Sequence, residues 1–253
     1  MKFFVDKLRE DSFKEIYEFT SHGHDVLNRI ENCDKTTIAL TTGLALGGGL
    51  ELALSCDYRI GTRRTQFRFP ETSIGIYPGL GGTQRTARIC GVECARYAVL
   101  AGNFMDSSVA IDLGLLTHKV KSSEVESTVA SLVGKKPDQK YTKKPLNYES
   151  EVVSFASDFY SDKNIDDLIS GKIPAGYDSE DPVVSRQLKS LSRAAPIALR
   201  IAGDLLSDVR TGSSLEDGLN LELDRLEEIF STQDAEEGLS ALIEGRRPKY
   251  NSC

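Results

Sequence analysis

The chain has 253 residues, 40% of them hydrophobic and 27% charged, with a net charge of −7 and a pI near 5.2. That length and composition suffice to bury a core without disulfide or metal staples, and the acidity excludes a general nucleic-acid binder, which sets clustered lysine and arginine against phosphate. No apolar run reaches the ~18 residues that span a bilayer, and the opening MKFFVDKLRED lacks the apolar centre of a signal peptide, so no membrane partner is expected.

Residues 8–32 read as one amphipathic helix, with Phe13, Ile16, Tyr17, Val26, Leu27 and Ile30 near helical spacing. Residues 36–40 form a short strand, followed by Gly43 and the run Leu44-Ala45-Leu46-Gly47-Gly48-Gly49; a short helix covers 50–55. Residues 58–60 and 66–69 alternate as strands, the second stopped by Pro70. A glycine-rich stretch, 75–82, leads into two helices on either side of Gly91, and 115–120 is a last strand. Two loose copies of strand, strand, helix hint at a small spiral repeat. Past residue 121 the chain turns charged and helical, broken by a basic, proline-punctuated linker at 134–149 and a second break at 171–182. From 183 onward Leu188, Leu191, Ile197, Leu205, Leu219, Leu223, Leu226 and Ile229 follow a helical pattern. The expected division is a core over 1–120, a helical insertion with linkers over 121–182 and a C-terminal helical region over 183–253. The apolar surface of 183–242 exceeds what a small appended domain buries alone, which points to subunit contacts.

The five cysteines, Cys33, Cys56, Cys90, Cys94 and Cys253, are an odd number without disulfide spacing. They read as small, half-buried residues in a reducing, cytoplasmic compartment. His22, His24 and His118 lack metal-ligand spacing and read as surface or packing residues, so no metal is expected. Neither a P-loop nor a G-x-S-x-G nucleophile elbow is present.

Three consecutive glycines entering a helix are a local cost of about 0.5–1 kcal/mol each. They would let a ligand approach a backbone N–H near the helix start, where an anion or developing oxyanion is favoured; close packing of helix on strand explains them equally well. Glu51 follows in the otherwise apolar Leu50-Leu52-Ala53-Leu54. Burial there would raise its pKa and suit proton transfer, whereas a solvated first-turn glutamate would only meet the helix dipole. Glu71 comes twenty residues later, directly after Pro70 and before a second glycine-rich segment. Two such acids beside glycine turns suit acid and base work on one substrate.

Ala45-Leu46-Gly47-Gly48-Gly49-Leu50-Glu51-Leu52-Ala53, Cys56-Asp57, Phe69-Pro70-Glu71 and Pro78-Gly79-Leu80-Gly81-Gly82-Thr83-Gln84-Arg85 together resemble the enoyl-CoA hydratase, or crotonase, family. The resemblance continues through Leu100-Ala101-Gly102 and returns in Ala195-Pro196, Glu237-Gly238-Leu239 and Arg246-Arg247-Pro248. It is dense over 37–120 and looser over 183–250. It implies an α/β fold, a crotonase-like ββα spiral core, N-terminally truncated, with a C-terminal helical region. It further implies hydration of 2-enoyl-CoA to 3-hydroxyacyl-CoA. Glu51 would help activate water, Glu71 would protonate the substrate α-carbon, and the Gly48 N–H would be one donor to the thioester oxyanion. Ala45, Leu46, Gly47 and Gly79 would line the substrate. Arg246 or Arg247 would meet the CoA phosphates, because Gly245 stands where family members commonly carry lysine. Coenzyme A enters as part of the substrate, and no separate cofactor is implied.

Family members form trimers, often paired into hexamers, and the same is expected here. About 75 residues separate the last core strand from Ala195-Pro196, more than in simple hydratases. That segment resembles hydroxyisobutyryl-CoA hydrolases and, more closely, the hydratase half of archaeal fusions with a 3-hydroxyacyl-CoA dehydrogenase, which names a dehydrogenase domain as one expected partner. Only 46 residues precede Gly47, fewer than the family carries, so either a longer natural polypeptide or an N-terminal complementing segment, holding the second oxyanion donor, is expected. An acyl-CoA hydrolase, an enoyl-CoA isomerase and a non-catalytic crotonase-like subunit are the competing readings; the intact glutamate pair speaks against the first two.

Overall fold

A computed structural model describes residues 1–137, 141 and 147–250. Cys253 and most of the central part of the 134–149 linker lie outside the described residues. Two helices open the chain, α1 (Lys2–Arg9) and α2 (Phe13–Glu31). The single helix expected over 8–32 is thus broken: Asp11 adopts a φ of +57°, a left-handed conformation that aspartate tolerates better than most residues. Breaking there folds α1 back on α2 and onto the last helix of the chain.

The spiral hint is realised in two stacked copies. Strands β1 (Ile38–Thr41) and β2 (Leu44–Leu46) are followed by α3 (Gly48–Ser55), then by β3 (Tyr58–Gly61) and β4 (Gln66–Arg68). β1 pairs in parallel with β3, Ile38 opposite Tyr58, and β2 in parallel with β4, Leu44 opposite Gln66. Each parallel pair needs a crossover, and α3 serves both. β2, the second strand of the first copy, falls on the run ahead of the glycines, where three residues are too few to show a period by themselves. β1 and β2 stand at the edges of their sheets, with Leu40, Leu44, Leu46 and Leu52 exposed beside them.

A 3-10 turn, Glu71–Ile74, then leads to α4 (Gly82–Cys90) and α5 (Val92–Val99), which flank Gly91 as expected. β5 (Met105–Asp106) pairs antiparallel with β4, and the Asp106 carboxylate caps α6 (Ser107–Asp112) by accepting from the Ser108 and Val109 N–H groups. The strand expected over 115–120 shrinks to β6 (His118–Lys119), because Leu115 and Leu116 are buried in side-chain packing. The remainder is helical: α7 (Val125–Leu132), α8 (Glu151–Phe159), α9 (Asp162–Ile169), α10 (Pro182–Leu191), α11 (Pro196–Asp208), α12 (Leu215–Asp224), α13 (Leu226–Phe230) and α14 (Gln233–Glu244).

Helix α11 packs on α4, α5 and the 71–74 turn, so the C-terminal helices share one core with the strands. Leu191, Leu205, Leu219, Leu223, Leu226 and Ile229 are all buried within the chain. The surplus apolar surface from which subunit contacts were expected is therefore mostly absorbed internally, leaving Val183, Leu242 and Ile243 exposed. Cys56, Cys90 and Cys94 are buried, and burial pushes Cys94 up to about 12. Among the described residues no helix is long and apolar enough to cross a membrane, and no group of metal-ligating side chains converges.

Candidate active site

The two glutamates meet at one cavity of about 430 Å³, which Leu46, Gly47, Gly48 and Gly79 also line. The junction of β2 and α3 makes this possible. Gly47 has a φ of +49°, and a Cβ there would collide with the Glu71 carboxylate. Only glycine meets both conditions, so the backbone at the start of α3 can lie against the acid. As the first residue of α3, Gly48 has no helical acceptor for its N–H, and the helix dipole favours negative charge at that point.

Glu51 sits one turn into α3 and is 2% exposed. Its Oε1 accepts from the Leu80 N–H at 2.7 Å and the Gly82 N–H at 2.8 Å. Burial pushes its carboxyl up to about 7, the neighbouring Glu222 carboxylate adds to this, and the two backbone donors oppose it. Glu71 opens the 3-10 turn after Pro70. Its Oε2 is buried with no hydrogen-bond partner among the described residues. Burial, reinforced by the charge of Glu51, holds Glu71 well above the ordinary carboxylate range. Both carboxyls are therefore raised in the folded chain, Glu51 to about 7 and Glu71 well above its ordinary value.

Both shifts also make a stability statement. A carboxyl whose folded pKa is raised contributes stability below its unfolded pKa, and that contribution is lost as pH rises through the folded value. For Glu51 the window runs from its ordinary 4.5 to about 7 and is worth on the order of 3 kcal/mol. Glu51→Gln keeps an oxygen for the Leu80 and Gly82 donors, so it should gain thermal stability over the wild type as pH rises from 5 to 8. Melting curves at the two pH values check this; a gap that stays constant would count against burial as the cause.

The remaining expected site residues lie elsewhere. Ala45 lines a separate groove with Leu44, Leu46 and Leu52. Arg246 and Arg247 are exposed and do not line the cavity. The Arg246 guanidinium grips both oxygens of Glu237, at 2.5 and 2.8 Å, and also pairs with Glu244. Two residues that the sequence did not single out for the site stand behind it. His24 is 3% exposed and Glu222 fully buried, and both bond the loop after Pro78. The nearest signal was a histidine inside an amphipathic helix, which more often marks packing.

Residues 1–252 match a family model described as enoyl-CoA hydratase/isomerase. The short-chain-enoyl-CoA hydratase of Clostridium acetobutylicum is 35% identical over 131 residues, 52% of this chain and 50% of that protein. The mitochondrial methylglutaconyl-CoA hydratase of Mus musculus is 30% identical over 236 residues, 93% of this chain and 59% of that protein. The crystal structure of an enoyl-CoA hydratase from Rhodobacter sphaeroides superposes with a TM-score of 0.76 at 21% identity, covering 98% of this chain and 72% of that one. This chain spans about half the length of the curated relatives it matches. Matched along nearly its whole length and sharing the crotonase fold, it belongs to the enoyl-CoA hydratase/isomerase family.

Proposed function

We propose that this chain adds water across the double bond of 2-enoyl-CoA thioesters, giving 3-hydroxyacyl-CoA. One observation carries the reading: two buried carboxyls of raised proton affinity on one cavity, beside the first N–H of a helix. The Glu51 carboxylate takes a proton from water as its oxygen bonds to C3. The π electrons of the C2–C3 bond move toward the thioester carbonyl, and the Gly48 N–H stabilises the charge gathered on that oxygen. As the enolate collapses, the Glu71 carboxylic acid delivers its proton to C2. A proton then returns from Glu51 to Glu71 through solvent to restore the pair.

The curated relatives support the chemistry, several being named as hydratases of crotonyl, short-chain enoyl or methylglutaconyl CoA. The assay is loss of enoyl-thioester absorbance from crotonyl-CoA, with the product identified. 3-Hydroxybutyryl-CoA supports hydration. A 3-enoyl thioester or free acid would replace it with isomerisation or hydrolysis, and binding without turnover with a non-catalytic subunit.

The cavity is also walled by Phe4, Phe19, Leu226, Ile229, Phe230 and Leu242. Phe4 stacks on Phe230 at 5.3 Å and meets Phe19 edge-on at 5.4 Å. No lysine, arginine or histidine side chain is among the described residues that line it. A substrate carboxylate buried there would meet no basic side chain, at a cost of about 3 kcal/mol or more. Plain 2-enoyl chains are therefore expected to exceed 3-methylglutaconyl-CoA in kcat/KM by at least about 10². Comparable values for the two would place the acyl chain elsewhere.

A further inference from the structure

We propose that Glu222 and His24 are positioning residues for the hydration site, a buried pair that fixes the backbone of residues 79–82 and thereby holds and electrostatically sets Glu51. The proposal rests on the hydratase reading of Glu51 but concerns groups outside the cavity wall. Successive N–H groups of this loop point to opposite sides. Those of Leu80 and Gly82 donate to Glu51, whereas that of Gly81, between them, donates to Glu222 Oε2 at 2.7 Å. The loop is thus a single backbone strip held between two buried carboxylates.

The neighbours of Glu222 fix its position. Besides the Gly81 N–H, its Oε1 accepts from the Thr83 hydroxyl at 2.5 Å, and its Oε2 lies 3.2 Å from His24 Nε2. The Gly81 N–H and the Thr83 hydroxyl thus each donate to a different oxygen of Glu222, so both ends of the carboxyl group are fixed. His24 Nε2 is also 2.7 Å from the Gly79 carbonyl oxygen. With two acceptors in reach, Nε2 must carry hydrogen, and Nδ1 is buried with no partner among the described residues. The imidazole therefore ties the carbonyl side of the loop to the carboxylate that holds its N–H side. Tyr77 strengthens the anchor by donating its hydroxyl to the Glu222 backbone oxygen at 2.5 Å.

Charge makes the pair more than a brace. Glu222 on α12 pushes the Glu51 proton affinity up, and His24 on α2 pushes it down. Glu71 is the other acid coupled to Glu51, and Tyr77 and Arg88 also feel Glu222. Removing Glu222 alone should thus lower Glu51, and removing His24 alone should raise it. Loosening of the loop would instead admit water and bring Glu51 down toward its ordinary value in every variant.

The test is a carboxyl carbon-13 NMR titration of glutamate-labelled protein, with Glu51→Gln assigning the signal, and kcat/KM for crotonyl-CoA recorded over the same pH range. Glu222→Gln is expected to lower the Glu51 midpoint by about one pH unit and to shift the ascending limb of the rate profile with it. His24→Gln, which keeps an N–H donor but removes the ring that lowers Glu51, is expected to raise both. If Glu222→Gln fails to fold, Thr83→Val, which withdraws a donor from the carboxylate, should lower the midpoint in the same sense. Unmoved midpoints, or a fall in both Glu222→Gln and His24→Gln, would overturn the proposal. Opposite shifts in a wild type that turns over no enoyl-CoA would sustain the pair and remove the hydratase reading.

Discussion

Under the proposed mechanism, Glu71→Gln is expected to lower hydration of crotonyl-CoA by about 10³-fold, inside the ~10²–10⁴ range of a positioned general acid. The substitution keeps size and shape, and Glu71 Oε2 has no protein partner among the described residues to lose. The fold and the binding of substrate should therefore survive while the C2 proton has no donor. Glu51→Gln should cost a similar factor, because water then lacks its base. The two losses should not multiply, since each acid is useful only while the other works; the double variant falls little below either single one. Steady-state rates with exchange of solvent deuterium into C2 would show this. A Glu71→Gln enzyme retaining a tenth of the rate would mean that another group protonates C2.

Gly238→Ala should destabilise the protein by about 3 kcal/mol and lower Tm by roughly 6–12 °C. Two effects compete here. Alanine in place of glycine within α14 favours the helix by about 1 kcal/mol. A Cβ at this position, however, would run into the carbonyl of Ile74 and lie 2.7 Å from the Tyr250 hydroxyl oxygen. A backbone group cannot rotate away as a side chain can, so overpacking wins. The Glu71–Ile74 turn is the very segment that presents the acid, and activity should fall with stability. Calorimetry settles the sign: a Tm above the wild type would show that α14 moves away at little cost.

The sequence carries the chemistry of the site better than its support. Glu51 and Glu71 are legible because each stands beside glycines in an apolar segment, a local signal that survives without any partner in view. The order of strand, strand and helix is legible for the same reason. Glu222 is not, because its place in the site depends on Gly81 and Thr83, about 140 residues away in sequence. His24 fails similarly: its partner oxygen belongs to Gly79. The break at Asp11 and the shortening of β6 both follow from tertiary packing that outweighs local periodicity.

The turn that bears Glu71 is fastened by distant chain. Ala195 N–H donates to the Thr72 carbonyl at 3.0 Å, the Tyr250 hydroxyl to that of Ser73 at 2.8 Å, and α14 closes over Gly75. At the ~5–20 residues per second of protein synthesis, roughly 10–30 s pass between the emergence of Glu71 and that of Tyr250. Throughout that interval Glu71 lacks its fastening, and Glu51 too waits for Glu222 to brace the loop that holds it. Glu71 is thus among the last groups to be set on a ribosome, and the appearance of turnover would mark the docking of α14 rather than the formation of the sheets.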